Sequence, residues 1–435
     1  MKTLQDIVPL SLRQLVAKVQ AGEITPHEII QAYYSGIEYL EPKIHAWKTL
    51  DPDDIKSQLQ RFEQDIDLQS LPLAGIPIGV KDLINTKHLP TGYGSTLYEG
   101  YQPQENAAIV NRYEELGGII LGKTVTTEFA FLNPGPTINP VSLNVGVTVT
   151  PGGSSSGSAA AVACAMTPLA FATQTAASIT RPAAFCGVVG YKPSYGTLSM
   201  DGIKPLSPSL DTLGMMGLRV DDVAYAVGSL IGQELIDEAI NPPVIGFVEE
   251  PLWADITYDA KRVLELAKQI LVKRGLTIKP IHLAELGQEL SWAQETIMYS
   301  EMATSLASEW QQAENSLSPQ LVQYLKKGRA VSEEELQKAF DIQRSGQERI
   351  KELFGEVDIL IAPSTLGEAP EGLESTGNPI MSRLWTLLGN PTCHLPIGYS
   401  LKKLPLGITV VGALHDDKRL LSYAHALENL LSSGS

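Results

Sequence analysis

Apolar positions recur at helical spacing over residues 9–40, with a break at Gly22 and a restart at Thr25-Pro26. That pair predicts an N-cap followed by proline in the first helical position. Residues 54–66 predict a polar helix, and LAGIPIGVKD (73–82) a short apolar strand that closes on Lys81 and Asp82. A Gly-rich turn near 92–94 leads to a helix over 106–117, which Gly117-Gly118 stops. IILGK (119–123) is the next strand. SAAAVACAM (158–166) predicts a helix and PLAFATQT (168–175) a strand. AASITRPAAFCG (176–187) turns into a short helix that ends at Gly187. Further strands are read at 244–248, 357–364 and 406–412, with helices near 258–274, across 285–353 and at the end of the chain.

Strands alternating with helices predict an α/β fold: a large mixed sheet with helices on both faces. The 435 residues, 43% of them apolar, bury a large core. Neither a linker nor an internal repeat divides them, so one domain over 1–435 is expected, its densest motifs at 70–215 and a helical subregion at 285–355. The stretch 133–157 is rich in Asn, Pro, Gly, Ser and Thr and has no helical period. It is too long for an ordinary connection, which points to a functional loop.

Composition narrows the function. The formal charge is −16, and an acidic body disfavours nucleic-acid and anionic-membrane surfaces. The start of the chain reads as an amphipathic helix and not as a signal peptide, and no run of about 18 apolar residues predicts a membrane span. Cys164, Cys186 and Cys393 have no Cys-x-x-Cys spacing and read as free thiols of a reducing, cytoplasmic compartment. The seven histidines show no metal spacing, and neither a metal nor a cofactor is expected.

Two motifs mislead. GGIILGKT (117–124) fits the phosphate-loop expression, but Ile, Ile and Leu at its centre read as a buried strand. GSSSG (153–157) fits the nucleophile elbow, yet Pro151-Gly152 stands where that elbow needs a strand. His394 and His415 follow it and leave a Ser-His arrangement on Ser154 open. Without histidine, a serine hydroxyl needs another base, and a desolvated lysine can serve. One lysine stands out by its apolar setting: Lys81, after GIPIGV. A pair with Asp82 is the structural alternative.

PGGSSSGSAAAVA (151–163) and TQTAASITRPAAFCGVVGYKPSYG (173–196) together resemble the amidase signature family. GIPIGVKD, GKT, SLDTLG (209–214) and GNPTCHLPIG (389–398) look like further blocks of that family in the same order. The resemblance implies a single-domain amidase and a Ser-Ser-Lys triad: Ser178 as nucleophile, Ser154 as relay after a cis peptide from Gly153, and Lys81 as base. It implies backbone N–H donors from Thr175, Ala176, Ala177 and Ser178 for the oxyanion. Removing one such donor typically costs about 3 kcal/mol. The commonest family pattern reads T-D-T-G-G-S, so Gln174, Ala176 and Ala177 depart from it, and any position there needing positive φ would be strained without glycine. Gln174 and Arg181 resemble the malonamidase-like branch, where an arginine can face a substrate carboxylate; a structural ion pair is the competing role for Arg181. The substrate implied is a small-molecule amide, shaped by residues in 93–145 and 290–385, and a homodimer is allowed. A glutaminase subunit of a tRNA-dependent amidotransferase and a non-catalytic ligand binder are the competing functions.

Overall fold

The computed structural model describes residues 2–65, 67, 70–249 and 255–432. Its strands are β1 (Trp47–Leu50), β2 (Pro77–Lys81), β3 (Ile119–Thr124), β4 (Leu169–Gln174), β5 (Val189–Lys192), β6 (Thr212–Gly217), β7 (Val244–Val248), β8 (Thr277–Ile281), β9 (Ile359–Pro363), β10 (Thr392–Tyr399) and β11 (Pro405–Val411). Among the described residues they form one 11-stranded sheet, in the order β1-β3-β2-β4-β6-β5-β10-β11-β9-β7-β8. β2 runs parallel to β3 and β4, and β7 parallel to β8 and β9. The pairs β4–β6, β6–β5, β5–β10, β10–β11 and β11–β9 are antiparallel. The sheet is therefore mixed, as expected, and its central strands are buried on both faces.

Local signals explain the elements that were legible. Ser11 caps Leu12–Gln20, and Thr25 caps Pro26–Ile44 through a capping box with Glu28. Gly22 between them has φ +71, a turn conformation glycine adopts without strain. The phosphate-loop lookalike is β3, wholly buried. Strands β1, β5, β6, β8 and β10 escaped the sequence reading. β1 and β8 are short edge strands with exposed polar positions, and β8 contains Pro280. β5 and β6 are short and broken by glycine, and β10 shifts register beside Pro396. The 133–157 loop holds one short helix, Ser142–Val145, and the helix after it starts at Ser156, two residues earlier than read.

Four helices, Ala284–Ser305, Ala307–Ala313, Pro319–Arg329 and Glu333–Leu353, pack as a group, and the first of them also packs on Ile380–Leu387. This group reaches the centre of the sheet through Gln294 and Glu301. Among the described residues no helix is long and apolar enough to cross a membrane.

Candidate active site

The C-terminal ends of β2 and β4 lie side by side because the two strands are parallel neighbours. β2 delivers Lys81 there, and β4 delivers Thr173. The Lys81 ammonium nitrogen donates to Ser154 Oγ at 2.7 Å and to Thr173 Oγ1 at 2.7 Å. Lys81 is fully buried, and among the described residues no carboxylate lies within ion-pair distance of it. Burial pulls its pKa from 10.5 to about 7, against the opposing field of Asp211. A lysine of this kind is substantially neutral near pH 7 and can accept a proton.

Two other lysines share its burial, which corrects the expectation that Lys81 stands alone. Lys123 is the last residue but one of β3 and Lys192 the last of β5, and both are fully buried. All three lie at or next to the end of a short apolar strand, so the sequence signal that picked Lys81 applied to each. Their partners separate them. Lys123 donates to Ile84 O, Thr86 Oγ1 and Thr91 Oγ1 and lies 4.0 Å from Asp82. Asp82 therefore pairs with Lys123, not with Lys81. Lys192 donates to Pro193 O at 2.9 Å. Only Lys81 of the three holds a serine hydroxyl.

Ser154 follows a cis peptide from Gly153. Its loop is clamped from two sides. Thr127 N donates to Ser154 O at 3.2 Å, and Arg181 Nη2 donates to Gly153 O at 2.7 Å. Gly152 has φ +78, and a Cβ there would stand 2.9 Å from the Pro182 backbone, so only glycine lets the two loops approach. The stretch beside Thr127 is strained: Phe129 and Ala130 both have positive φ.

Ser178 sits in the turn between β4 and the helix Thr180–Cys186 and is 8% exposed. Arg181, the second residue of that helix, ties it to the Ser154 loop. Among the described residues no hydrogen bond joins Ser178 to Ser154; the formed contact is the one from Lys81 to Ser154. The N–H groups of Thr175, Ala176, Ala177 and Ser178 donate to no described protein group, whereas Ile179 N and Thr180 N are held by Gln174 Oε1 at 2.8 and 3.0 Å. Four adjacent N–H donors beside Ser178 are thus left unengaged by described protein groups. Neither Ala176 nor Ala177 has a positive φ, so alanine brings no backbone strain to the loop.

Gln174 does its work through its carboxamide. Besides holding Ile179 and Thr180, it donates to Thr386 Oγ1 at 3.0 Å, and Thr386 Oγ1 donates to Ala176 O at 2.8 Å. A carboxylate could accept from the two backbone N–H groups but could not donate to Thr386. Thr175 is fixed separately, its hydroxyl donating to Asp211 Oδ1 at 2.5 Å and its carbonyl accepting from Gln294 Nε2 at 3.1 Å. Sequence reasoning assigned no role to Thr173, Asp211, Gln294 or Thr386. Asp211 lies in the SLDTLG block, but nothing local reveals what it touches.

Arg181 is buried and has no carboxylate partner within ion-pair distance among the described residues. Nη1 donates to Gly377 O at 2.5 Å and Nη2 to Gly153 O, while Nε is buried without a partner. Burial, reinforced by Arg383, lowers its pKa to about 9. The histidine arrangement finds no support in the geometry. His394 Nδ1 pairs with Ser364 Oγ at 2.6 Å, and burial lowers its pKa to about 3. His415 is engaged through its backbone N–H with Ser194 Oγ. Ser154 is bound to Lys81.

A mixed 11-stranded sheet that brings a fully buried lysine onto a serine hydroxyl defines an α/β fold with a candidate active site at the ends of β2 and β4. The amidase family profile matches residues 28–421. The chain belongs to the amidase family, and it is an enzyme acting on amides. It is 30% identical to the glutamyl-tRNA(Gln) amidotransferase A subunit of Halothermothrix orenii, over 98% of this chain and 98% of that protein. An amidase crystal structure superposes with a TM-score of 0.87 at 25% identity, covering 97% of this chain and 100% of that one. The native peptide amidase of Stenotrophomonas maltophilia superposes with a TM-score of 0.79 at 25% identity, over 97% of each chain.

Proposed function

We propose that this amidase hydrolyses a small-molecule carboxamide through an acyl-enzyme on Ser178, with Ser154 as proton relay and Lys81 as base. The observation that carries this reading is the 2.7 Å contact from a fully buried, carboxylate-free lysine to Ser154 Oγ. Neutral Lys81 takes the Ser154 proton as Ser154 takes the proton of Ser178. Ser178 Oγ then bonds to the amide carbonyl carbon, and the oxyanion settles on the free N–H groups of Thr175 to Ser178. The C–N bond breaks as the relay returns the proton to the leaving nitrogen. Water attacks the resulting ester by the same proton path and releases the acid. A fluorophosphonate probe tests the assignment. The adduct is expected on the peptide containing Ser178; an adduct on Ser154, or no adduct, rejects it.

Gln174 and Arg181 favour the malonamidase-like branch within this reading, but the geometry supports a holding role for Arg181. Two of its five donors are spent on Gly377 O and Gly153 O, so the guanidinium already ties two backbone segments together, while Nε is left without a partner. Arg181→Met is therefore expected to lower kcat at least tenfold for acidic and neutral amides alike, about 1.4 kcal/mol per decade. A rise in KM confined to acidic amides would instead assign Arg181 to substrate binding.

A second reading, the ammonia-producing component of an amidotransferase, is favoured by the full-length match to the A subunits of such enzymes. Co-purification with partner subunits and glutamine-dependent amidation in the reconstituted complex would establish it. Activity of the isolated chain on simple amides, without partners, supports the small-molecule reading.

A further inference from the structure

Lys81 must carry a full positive charge for part of each turnover, in a place that burial makes hostile to charge. The structure supplies one answer two residues beyond Thr173. Thr173 lies in β4, and Thr175 directly follows the last residue of that strand, Gln174. Thr173 holds Lys81 and Thr175 holds Asp211. Asp211 directly precedes β6, which pairs antiparallel with β4 through Gln174 and Thr212.

We infer that Asp211 is a positioning residue that serves as counter-charge to the ammonium formed on Lys81 and anchors Thr175 at the edge of the oxyanion cradle. The inference rests on the Ser178–Ser154–Lys81 reading. Asp211 is buried, and its oxygens are fully committed: Oδ1 accepts the Thr175 hydroxyl, and Oδ2 accepts Leu206 N at 2.8 Å and Ser207 N at 2.9 Å. Those three donors hold the carboxylate still without neutralising it. Its field is the one opposing burial at Lys81. The other charged or titratable groups facing Asp211 are Glu301, from the helix Ala284–Ser305, and Tyr195. Glu301 accepts from Ser207 Oγ at 2.7 Å and Ser209 N at 3.0 Å, so it braces the same turn. Burial raises the Asp211 pKa to about 6 despite its three donors, with Glu301 adding to the rise. Asp211 is therefore anionic above about pH 6, where a neutral Lys81 becomes available.

The arrangement resembles in logic the acid of a Ser-His-Asp triad, which stabilises the charged base without touching substrate. Removing the negative charge favours the neutral form of Lys81. The acid limb of the pH–rate profile then moves to lower pH, while the plateau falls because the ammonium loses its counter-charge.

The test compares kcat/KM against pH, and the rate of fluorophosphonate labelling against pH, for wild type, Asp211→Asn and Thr175→Val. Asp211→Asn is expected to lower the plateau kcat on the order of 10²-fold. It should also move the acid limb down by about one pH unit. Thr175→Val keeps the carboxylate and should lower kcat with the limb unmoved. Asp211→Ser, also uncharged, replaces the asparagine variant should that one not fold. A wild type labelled on Ser178 with an unmoved limb in the uncharged variant overturns the inference alone. A wild type not labelled on Ser178 overturns the reading beneath it.

Discussion

Ser178→Ala is expected to abolish amide hydrolysis and fluorophosphonate labelling together, with kcat falling at least about 10⁴-fold. The reason lies in the geometry of the loop. The segment Thr175 to Thr180 stays held by Gln174 and Asp211 in this variant, so in the proposed mechanism substrate binding and carbonyl polarisation persist. What is lost is the oxygen that forms the bond to the carbonyl carbon. KM should change little, since the missing hydroxyl contributes mainly to bond formation. Ser154→Ala is expected to be comparably inactive for a different reason: Ser178 remains, but its proton has no route to Lys81. Measuring both variants separates the roles. If Ser154→Ala alone lost labelling while Ser178→Ala kept it, the nucleophile would be Ser154.

Lys81→Ala is expected to lower kcat at least about 10³-fold at pH 7, and its consequences extend to pH. In the wild type the rate should rise as pH passes through about 7, the point to which burial depresses Lys81. The variant should lose this limb. The same group ties stability to pH. The unfolded chain holds a proton on this lysine up to about pH 10.4, while the folded chain releases it near 7. Between those values the unfolded state binds more protons, so this residue's contribution to stability grows more favourable as pH rises. Below about pH 7 both states are protonated, and the cost of burying the charge is at its full value. The difference in stability between wild type and Lys81→Ala, followed by denaturation from about pH 7 to 10, should shift in favour of wild type. A flat difference would mean that the folded Lys81 keeps its ordinary pKa.

Lys123 and Lys192 are fully buried as well, and they show why burial alone does not make a base. Burial lowers the pKa of Lys123 too, against the opposing field of Asp82, and its donors go to one backbone carbonyl and two threonine hydroxyls. Lys192 meets a backbone carbonyl, which cannot give up a proton to it. Lys81 differs in meeting a serine hydroxyl, Ser154 on the Gly/Ser loop, with no carboxylate within ion-pair distance among the described residues, and a hydroxyl can lose a proton as well as share one.

Residue order alone was enough for the α/β class, the strand that ends on Lys81, the Gly/Ser loop around Ser154 and the helix that follows Ser178. These rest on local rules: apolar runs of strand length, helix caps, and glycine where the chain must turn or approach another backbone. Motif order then set the two serines in their proposed roles, which spacing alone would have reversed by favouring the elbow-like Ser154. Long-range packing settled the rest. Which of three similar lysines reaches a serine depends on β2 lying parallel beside β4, a pairing between segments 92 residues apart at Lys81 and Thr173. The partners of Gln174, Thr175 and Arg181 come from Thr386, Asp211, Gln294 and Gly377, up to 212 residues away, and no local pattern encodes such contacts. Lys81 was visible because a buried charge is costly wherever it occurs in a chain. Its environment was not, because the groups that set its proton affinity meet only when the sheet has formed.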